Sequence, residues 1–298
     1  MQAEANNAPC PTMGCLLAAS DLSSRSDRAL RRAAMLARAS GARFVLLHAV
    51  DDDQPRRMID AERREAWALL GEQVASMSAV QATGPTILVE EGDPFEAVLR
   101  VAEAQSADLI VLGEHRRRPL RDLFAGTTVE RVMRHGASPV LMVNQPPASP
   151  YHRILAATDL SAHSAHAVRS ARDLGLLALA ELTLLHAFEA PARGAITRAA
   201  LNEAGLAAHV ADAAREADTA LTGFVASLGL DRAPTRLVEE GGPAAVIGRA
   251  IERLRPDLLI IATAGAGLLR RAMIGSVAAA VLAEARCDVL AVPPAQAS

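Results

Sequence analysis

The sequence predicts an α/β protein of two tandem domains, each a five-stranded parallel sheet flanked by helices, and three observations carry that prediction. The stretch Asp108 to Val143, DLIVLGEHRRRPLRDLFAGTTVERVMRHGASPVLMV, recurs without a gap from Asp257 to Val292, 149 residues later (257 − 108). Short apolar runs alternate with amphipathic stretches in the order βαβαβαβαβ, and strands joined through helices run parallel. A chain of 298 residues, 51 % hydrophobic, suffices for two cores of ordinary size. The Pro-rich NQPPASPYH of Asn144 to His152 supplies the joint. The domains are expected over residues 12–144 and 153–294, with 145–152 as linker.

Each element has a local reason. After a loose tail, Met13 to Ala19 reads as a buried strand closing on Ser20-Asp21. Ser24 to Ser40 places Leu30, Ala33, Ala34 and Ala37 on one helical face, and Gly41, tolerant of positive φ, ends it. Arg43 to Val50 is the second strand, Asp51 to Asp53 a solvated loop, and Met58 to Gln81 one long polar helix. Thr86 to Val89 is the third strand; in the EEGDP turn that follows, Asp93 caps and Pro94 takes the first helical position of a helix ending at Ala104. Leu109 to Leu112, too short for a helix, reads as a strand buried on both faces. A loop containing glycine and arginine follows, then a helix with Val129, Val132 and Met133 at helical spacing, then the strand Val140 to Val143.

The pattern then restarts. RILAATDL from Arg153 repeats CLLAASDL from Cys15, and LTLLHAFE from Leu182 repeats FVLLHAVD from Phe44, both 138 residues on. The later offset of 149 places an 11-residue insertion (149 − 138) between them, in a second helix expected over Ile196 to Leu228. TRLVEEGGP answers TILVEEGDP, with Pro243 again first in its helix.

Composition excludes several functions. A net charge of −3 and 2 % aromatic residues leave neither the basic excess nor the stacking platforms of a nucleic-acid binder. Every basic side chain is arginine or histidine; without lysine there is no P-loop and no Schiff base. Cys10, Cys15 and Cys287 form no CxxC pair, so they read as buried or tail thiols. No apolar run reaches the ~18 residues of a membrane span, and no basic residue precedes an apolar core at the start, so the expected location is cytoplasmic.

Gly126-Thr127 and Gly275-Ser276 each open a helix, leaving backbone N–H groups beside a hydroxyl at the positive end of the helix dipole. That is an anion site, phosphate being the commonest biological anion, although Gly, Ser and Thr are also ordinary N-caps. The spacing adds weight: Gly113 to Gly126 and Ala262 to Gly275 are both 13 residues. In open parallel sheets, ligands bind at the carboxyl ends of strands where strand order reverses. That rule brings in Ala19 and Asp21 after strand one, His48 and Ala49 at the end of strand two, and Gly113 after strand four. Asp21 and its partner Asp159 either face a nucleotide or cap the following helix.

These residues resemble the universal stress protein family in its tandem two-domain form, from about Met13 to Pro294. The resemblance implies Rossmann-like, adenine nucleotide alpha hydrolase-like domains that bind ATP, with Mg2+ as its companion ion. Its nucleotide-binding members carry G-x2-G-x9-G-[S/T] after strand four. Carried onto this sequence, the nucleotide set is Ala19, Asp21, Ala49, Gly113, Arg116, Gly126, Thr127 and Thr128 in the first half. In the second half it is Ala157, Asp159, Ala187, Ala262, Gly265, Gly275, Ser276 and Val277. Each half departs once: Arg116 replaces the second glycine of the first motif, and Ala262 replaces the first glycine of the second. Arg116 adds a Cβ where the loop favours positive φ, yet with Arg117, Arg118 and Arg121 its guanidinium can grip phosphate or lie in a solvated loop. Ala262 adds one methyl group and Gly267 keeps its loop flexible, so the second half is the more open candidate. The resemblance also implies that strand five of one domain pairs antiparallel with strand five of the next, a pseudo-dimer within one chain, with a homodimer as an extension. The partners implied are an adenine nucleotide and unknown proteins, with no nucleic acid and no membrane.

No catalytic or metal constellation stands out. His48 and His186, repeated in LLHA, read as hydrogen-bonded structural residues. His163 and His166, three apart on a helix, lack a third ligand. Slow ATP hydrolysis is the most that is expected. Two functions follow: a nucleotide-dependent stress sensor or regulator, or a nucleotide-free protein-interaction module of the same fold. An adenylating or pyrophosphatase-type enzyme of similar topology needs an SGGxDS-like loop after strand one, which AASDLSS and AATDLSA do not supply.

Overall fold

The computed structural model describes residues 13–113, 127–190, 203–265 and 274–295. The chain divides into two compact units, Met1–Pro150 with Ser170–Ala178, and Tyr151–Arg169 with Leu179–Ser298. In the first half the described elements are β1 (Cys15–Ala19), α1 (Ser24–Ser40), β2 (Arg43–Val50), α2 (Arg56–Ser76), α3 (Ser78–Gln81), β3 (Thr86–Glu91), α4 (Pro94–Ala104), β4 (Leu109–Gly113), α5 (Thr128–His135) and β5 (Val140–Val143). Its strands lie in the order β3-β2-β1-β4-β5, every neighbour parallel.

The second half runs β6 (Arg153–Thr158), α6 (Ala162–Asp173), β7 (Glu181–Phe188), α7 (Glu203–Leu228), β8 (Thr235–Glu240), α8 (Pro243–Leu254), β9 (Leu258–Ala262), α9 (Ser276–Glu284) and β10 (Asp288–Val292). Its own order, β10-β9-β6-β7-β8, is again all parallel. Strand order therefore reverses between β1 and β4 in one unit and between β6 and β9 in the other. The crevices expected at the carboxyl ends belong there.

The central strands are covered on both faces, which is why they are unbroken apolar runs: Leu16, Leu17, Leu109 and Ile110 are wholly buried, as are Leu258, Leu259 and Ile260. Helix α1 packs on β1 and β4 through Leu30 and through Ala29, Ala33, Ala34 and Ala37, small residues that let helix and sheet approach closely. Gly41 ends α1 at φ 73°, in the left-handed region.

A staple recurs at the amino ends of the strands. Asp108 Oδ2 accepts from the N–H groups of Gly14 (2.8 Å) and Cys15 (2.9 Å), and Asp257 Oδ2 accepts from those of His152 (2.8 Å) and Arg153 (2.9 Å). Burial works to raise the Asp257 carboxyl pKa. The backbone hydrogen bonds from His152 and Arg153, with the Arg153 charge, outweigh it and hold the group below its ordinary value.

Two expectations need correction. The single helix expected over Met58 to Gln81 is broken: Met77 takes an extended conformation (φ −117°, ψ 91°) and buries its side chain, separating α2 from α3. Strand β3 runs two residues further than expected, through Glu90 and Glu91, because it is the last strand in its unit's order and a sheet margin tolerates charged side chains. The long second helix of the second half is present as α7, 26 residues; residues 196–202 of its expected range lie outside the described residues.

Candidate functional site

At the carboxyl end of β1, the backbone turns through Leu22 at φ 59°, and the matching Leu160 after β6 has φ 62°. A left-handed leucine costs about 1–2 kcal/mol, so side-chain bonds must hold the turn. They do so twice in the same way. Ser20 Oγ accepts from the Leu22 N–H (3.0 Å) and Thr158 Oγ1 from that of Leu160 (2.9 Å). Asp21 Oδ1 accepts from the Ser23 N–H and Asp159 Oδ1 from the Ser161 N–H, both at 3.0 Å. Each turn thus fixes an exposed aspartate at the end of the central strand. The N-cap of α1 is Ser23, two residues beyond Asp21, so the capping reading of Asp21 is corrected: the left-handed Leu22 sets the carboxylate one turn ahead of the helix. Burial pushes the Asp21 carboxyl pKa up, but hydrogen bonds from Ser23 and Ser26 and the nearby Arg25 prevail and leave it below the ordinary carboxylate value.

His48 and His186 lock the same corner. Their Nδ1 atoms lie 2.8 Å from the Ser20 carbonyl and 2.9 Å from the Thr158 carbonyl. A carbonyl only accepts, so Nδ1 carries the proton in each and the ring ties β2 to β1, or β7 to β6. Ala19, Ala49, Ala157 and Ala187, beside these turns, are half-buried at the strand ends, where the sequence placed them.

The two halves diverge after the fourth strand. Gly113 ends β4 where an added Cβ would lie 3.0 Å from the Arg25 carbonyl oxygen and 3.2 Å from its carbon. A side chain here would press on the backbone at the start of α1. In the second half Ala262 occupies the matching place, and the chain continues through the buried Thr263 and Ala264 to Gly265. A Cβ on Gly265 would lie 3.2 Å from Asp159 Oδ2, so the loop begins against that carboxylate. The Gly275 N–H donates to the Thr263 carbonyl at 2.9 Å, which returns the start of α9 to the end of β9. Asp159, Gly265, Gly275 and Ser276 therefore share one end of the second sheet. Arg116, Gly126 and Gly267 lie outside the described residues.

The helix starts differ most. Thr127 caps α5 in a reciprocal box: its Oγ1 accepts from the Glu130 N–H (3.2 Å) and its own N–H donates to Glu130 Oε2 (3.1 Å). A protein carboxylate already occupies the positive end of this helix, beside Thr127 and Thr128. At α9 the N-cap is Gly275, with no side-chain cap and no acidic residue in the first turn; Ser276 and Val277 follow directly. The Thr-x-x-Glu spacing of Thr127 and Glu130 is the local sequence signature of this box.

Other candidates resolve simply. Asp51, Asp52 and Asp53 bring carboxylate oxygens within 4.8 Å of one another, all exposed, in a turn where Asp51 accepts from the Asp53 N–H. Cys15 and Cys287 are buried; burial pushes the Cys287 thiol up to about 12, far from thiolate chemistry. Cys10 lies outside the described residues. Among the described residues no helix is long and apolar enough to cross a membrane.

Comparison with known proteins agrees with this architecture. The profile of the Universal stress protein family matches residues 15–144 and again 150–293. A Thermus aquaticus protein, "Universal stress protein in QAH/OAS sulfhydrylase 3'region", is 33 % identical over 142 residues, 43 % of this chain and 96 % of its own length. A universal stress protein from Archaeoglobus fulgidus DSM 4304 is similar in structure with a TM-score of 0.67 at 18 % identity, over 95 % of this chain and 99 % of that one. The functionally unknown protein PA1789 from Pseudomonas aeruginosa PAO1 gives 0.63 at 21 % identity, over 96 % and 94 %. At such identities the two structures speak to the fold.

Proposed function

The chain belongs to the universal stress protein family, and from that membership we propose that its second domain binds an adenine nucleotide, ATP, and acts as a nucleotide-dependent sensor or regulator in a stress response. The observation that carries this reading is the start of α9, whose amides at Ser276 and Val277 meet neither a side-chain cap nor an acidic residue in the first turn. Amides so placed favour an anion by roughly 0.3–2 kcal/mol through the helix dipole alone, before hydrogen bonds are counted. Asp159, held at the same end of the sheet and against Gly265, supports this reading as a carboxylate that would accept from ribose hydroxyls. Mg2+ travels with the phosphates of ATP and needs few protein ligands.

In the first domain the capping box favours the other reading, a nucleotide-free module. A phosphate at α5 would have to displace the Glu130 carboxylate or lie beside it. The two functions expected from the sequence thus divide between the halves. Calorimetry of the full chain with MgATP tests this: one site per chain is expected. No heat and no thermal shift at millimolar ATP overturns nucleotide binding; two equal sites overturn the division.

A further inference from the structure

Strand β3 is the outermost strand of the first unit, paired on one side with β2. Alternate N–H and C=O groups of such a strand point away from its neighbour. Beside it, helix α2 buries Ile59, Ala66, Leu70 and Val74 and turns Trp67 outward, 58 % exposed. Between helix and strand lies a trough of about 720 Å3, lined by Asp60, Arg63, Arg64 and Trp67 from α2 and by Ile87, Leu88, Val89 and Glu90 from β3.

Its charges are not equally committed. Asp60 pairs with Arg56 (3.0 Å), Arg63 with Glu91 (2.8 Å) and Glu90 with Arg100 (3.1 Å). Arg64 has no such partner among the described residues, and it stands one helical turn from Trp67. The trough therefore combines a strand edge with no neighbouring strand among the described residues, an exposed indole and a positive charge with no ion-pair partner among them. We propose that it takes an extended peptide segment of alternating apolar and acidic residues by strand addition to β3, with its apolar side chains under Trp67 and a carboxylate on Arg64.

The indole supplies its own readout, since Trp67 is the sole tryptophan. The full chain is titrated with a synthetic peptide of alternating valine and glutamate while tryptophan emission is followed. A saturable blue shift is expected, and none with the valine–lysine peptide. Proline at alternate positions of the acidic peptide removes the N–H groups that strand addition uses, and should abolish the shift. Arg64→Glu, at an exposed position, should weaken the acidic peptide about tenfold and admit the basic one. Equal binding of the proline-containing peptide, or an unchanged affinity in Arg64→Glu, overturns the proposal. So does a blue shift that follows protein concentration alone, in step with a dimer in sedimentation, which would make a second copy of the chain the occupant.

Discussion

The starts of α5 and α9 fall one residue apart in two copies of one pattern, capped by Thr127 in the first and by Gly275 in the second, and where the first has Glu130 the second has Ala279. In the first, the chain's own carboxylate accepts from the Thr127 N–H at the helix start; in the second, there is no side-chain cap and no acidic residue in the first turn. A helix terminus can satisfy its own polarity or lend it to another molecule.

Breaking the second start should have the largest effect. Gly275→Asp places a carboxylate where the phosphate is proposed, at a φ of −59° that any residue adopts. ATP affinity by calorimetry is expected to fall on the order of a hundredfold; an unchanged affinity would move the site elsewhere. Next comes Gly113→Ala, which drives a Cβ into the Arg25 backbone and should cost about 1–3 kcal/mol in urea unfolding. Ala262 tolerates the same atom at the matching place, so a cost for Gly113→Ala alongside no change for Ala262→Gly would assign the difference to packing. Thr127→Ala should cost ~1 kcal/mol by removing a cap. Ser276→Ala should cost less than half of that, because the cap there is a glycine. A smaller effect still is expected of Glu130→Ala, which should add a weak second ATP site to the calorimetric stoichiometry.

Acid provides the last comparison. The Asp257 pKa is depressed on folding, so its contribution is fully present above the ordinary value of 3.8 and is lost as pH falls through the lower folded value. The acid unfolding of Asp257→Asn should accordingly be shallower than that of the wild type below pH 3.8. Parallel curves would remove that staple as a source of acid sensitivity.

Much of this was readable in the sequence because the determinants are local. Gly41 ended α1, Asp93 and Pro94 began α4, and Asp108 and Asp257 aligned the two copies of the repeat in the sequence. What escaped depends on partners distant in the chain. Nothing near Met77 announces a break; the methionine leaves the helix because its side chain reaches the core. Gly113 stands where the family signature has a glycine, and only the path of α1 reveals how tightly a side chain there would be packed. Leu22 and Leu160 belong to no residue type associated with left-handed backbone, and the hydroxyls of Ser20 and Thr158 that hold them act through tertiary placement. The capping box is the exception: a local signal, visible and unread.

The aspartate staples sit at the opposite ends of the strands from the loops that distinguish the halves. Strand alignment is therefore anchored at the end opposite the proposed nucleotide site. Chimaeras that graft the segment between β9 and α9 onto the first half, together with the small residue at 279, should fold on an undisturbed frame. A scaffold anchored at one rim leaves the other free to gain or shed a binding site without risk to its architecture.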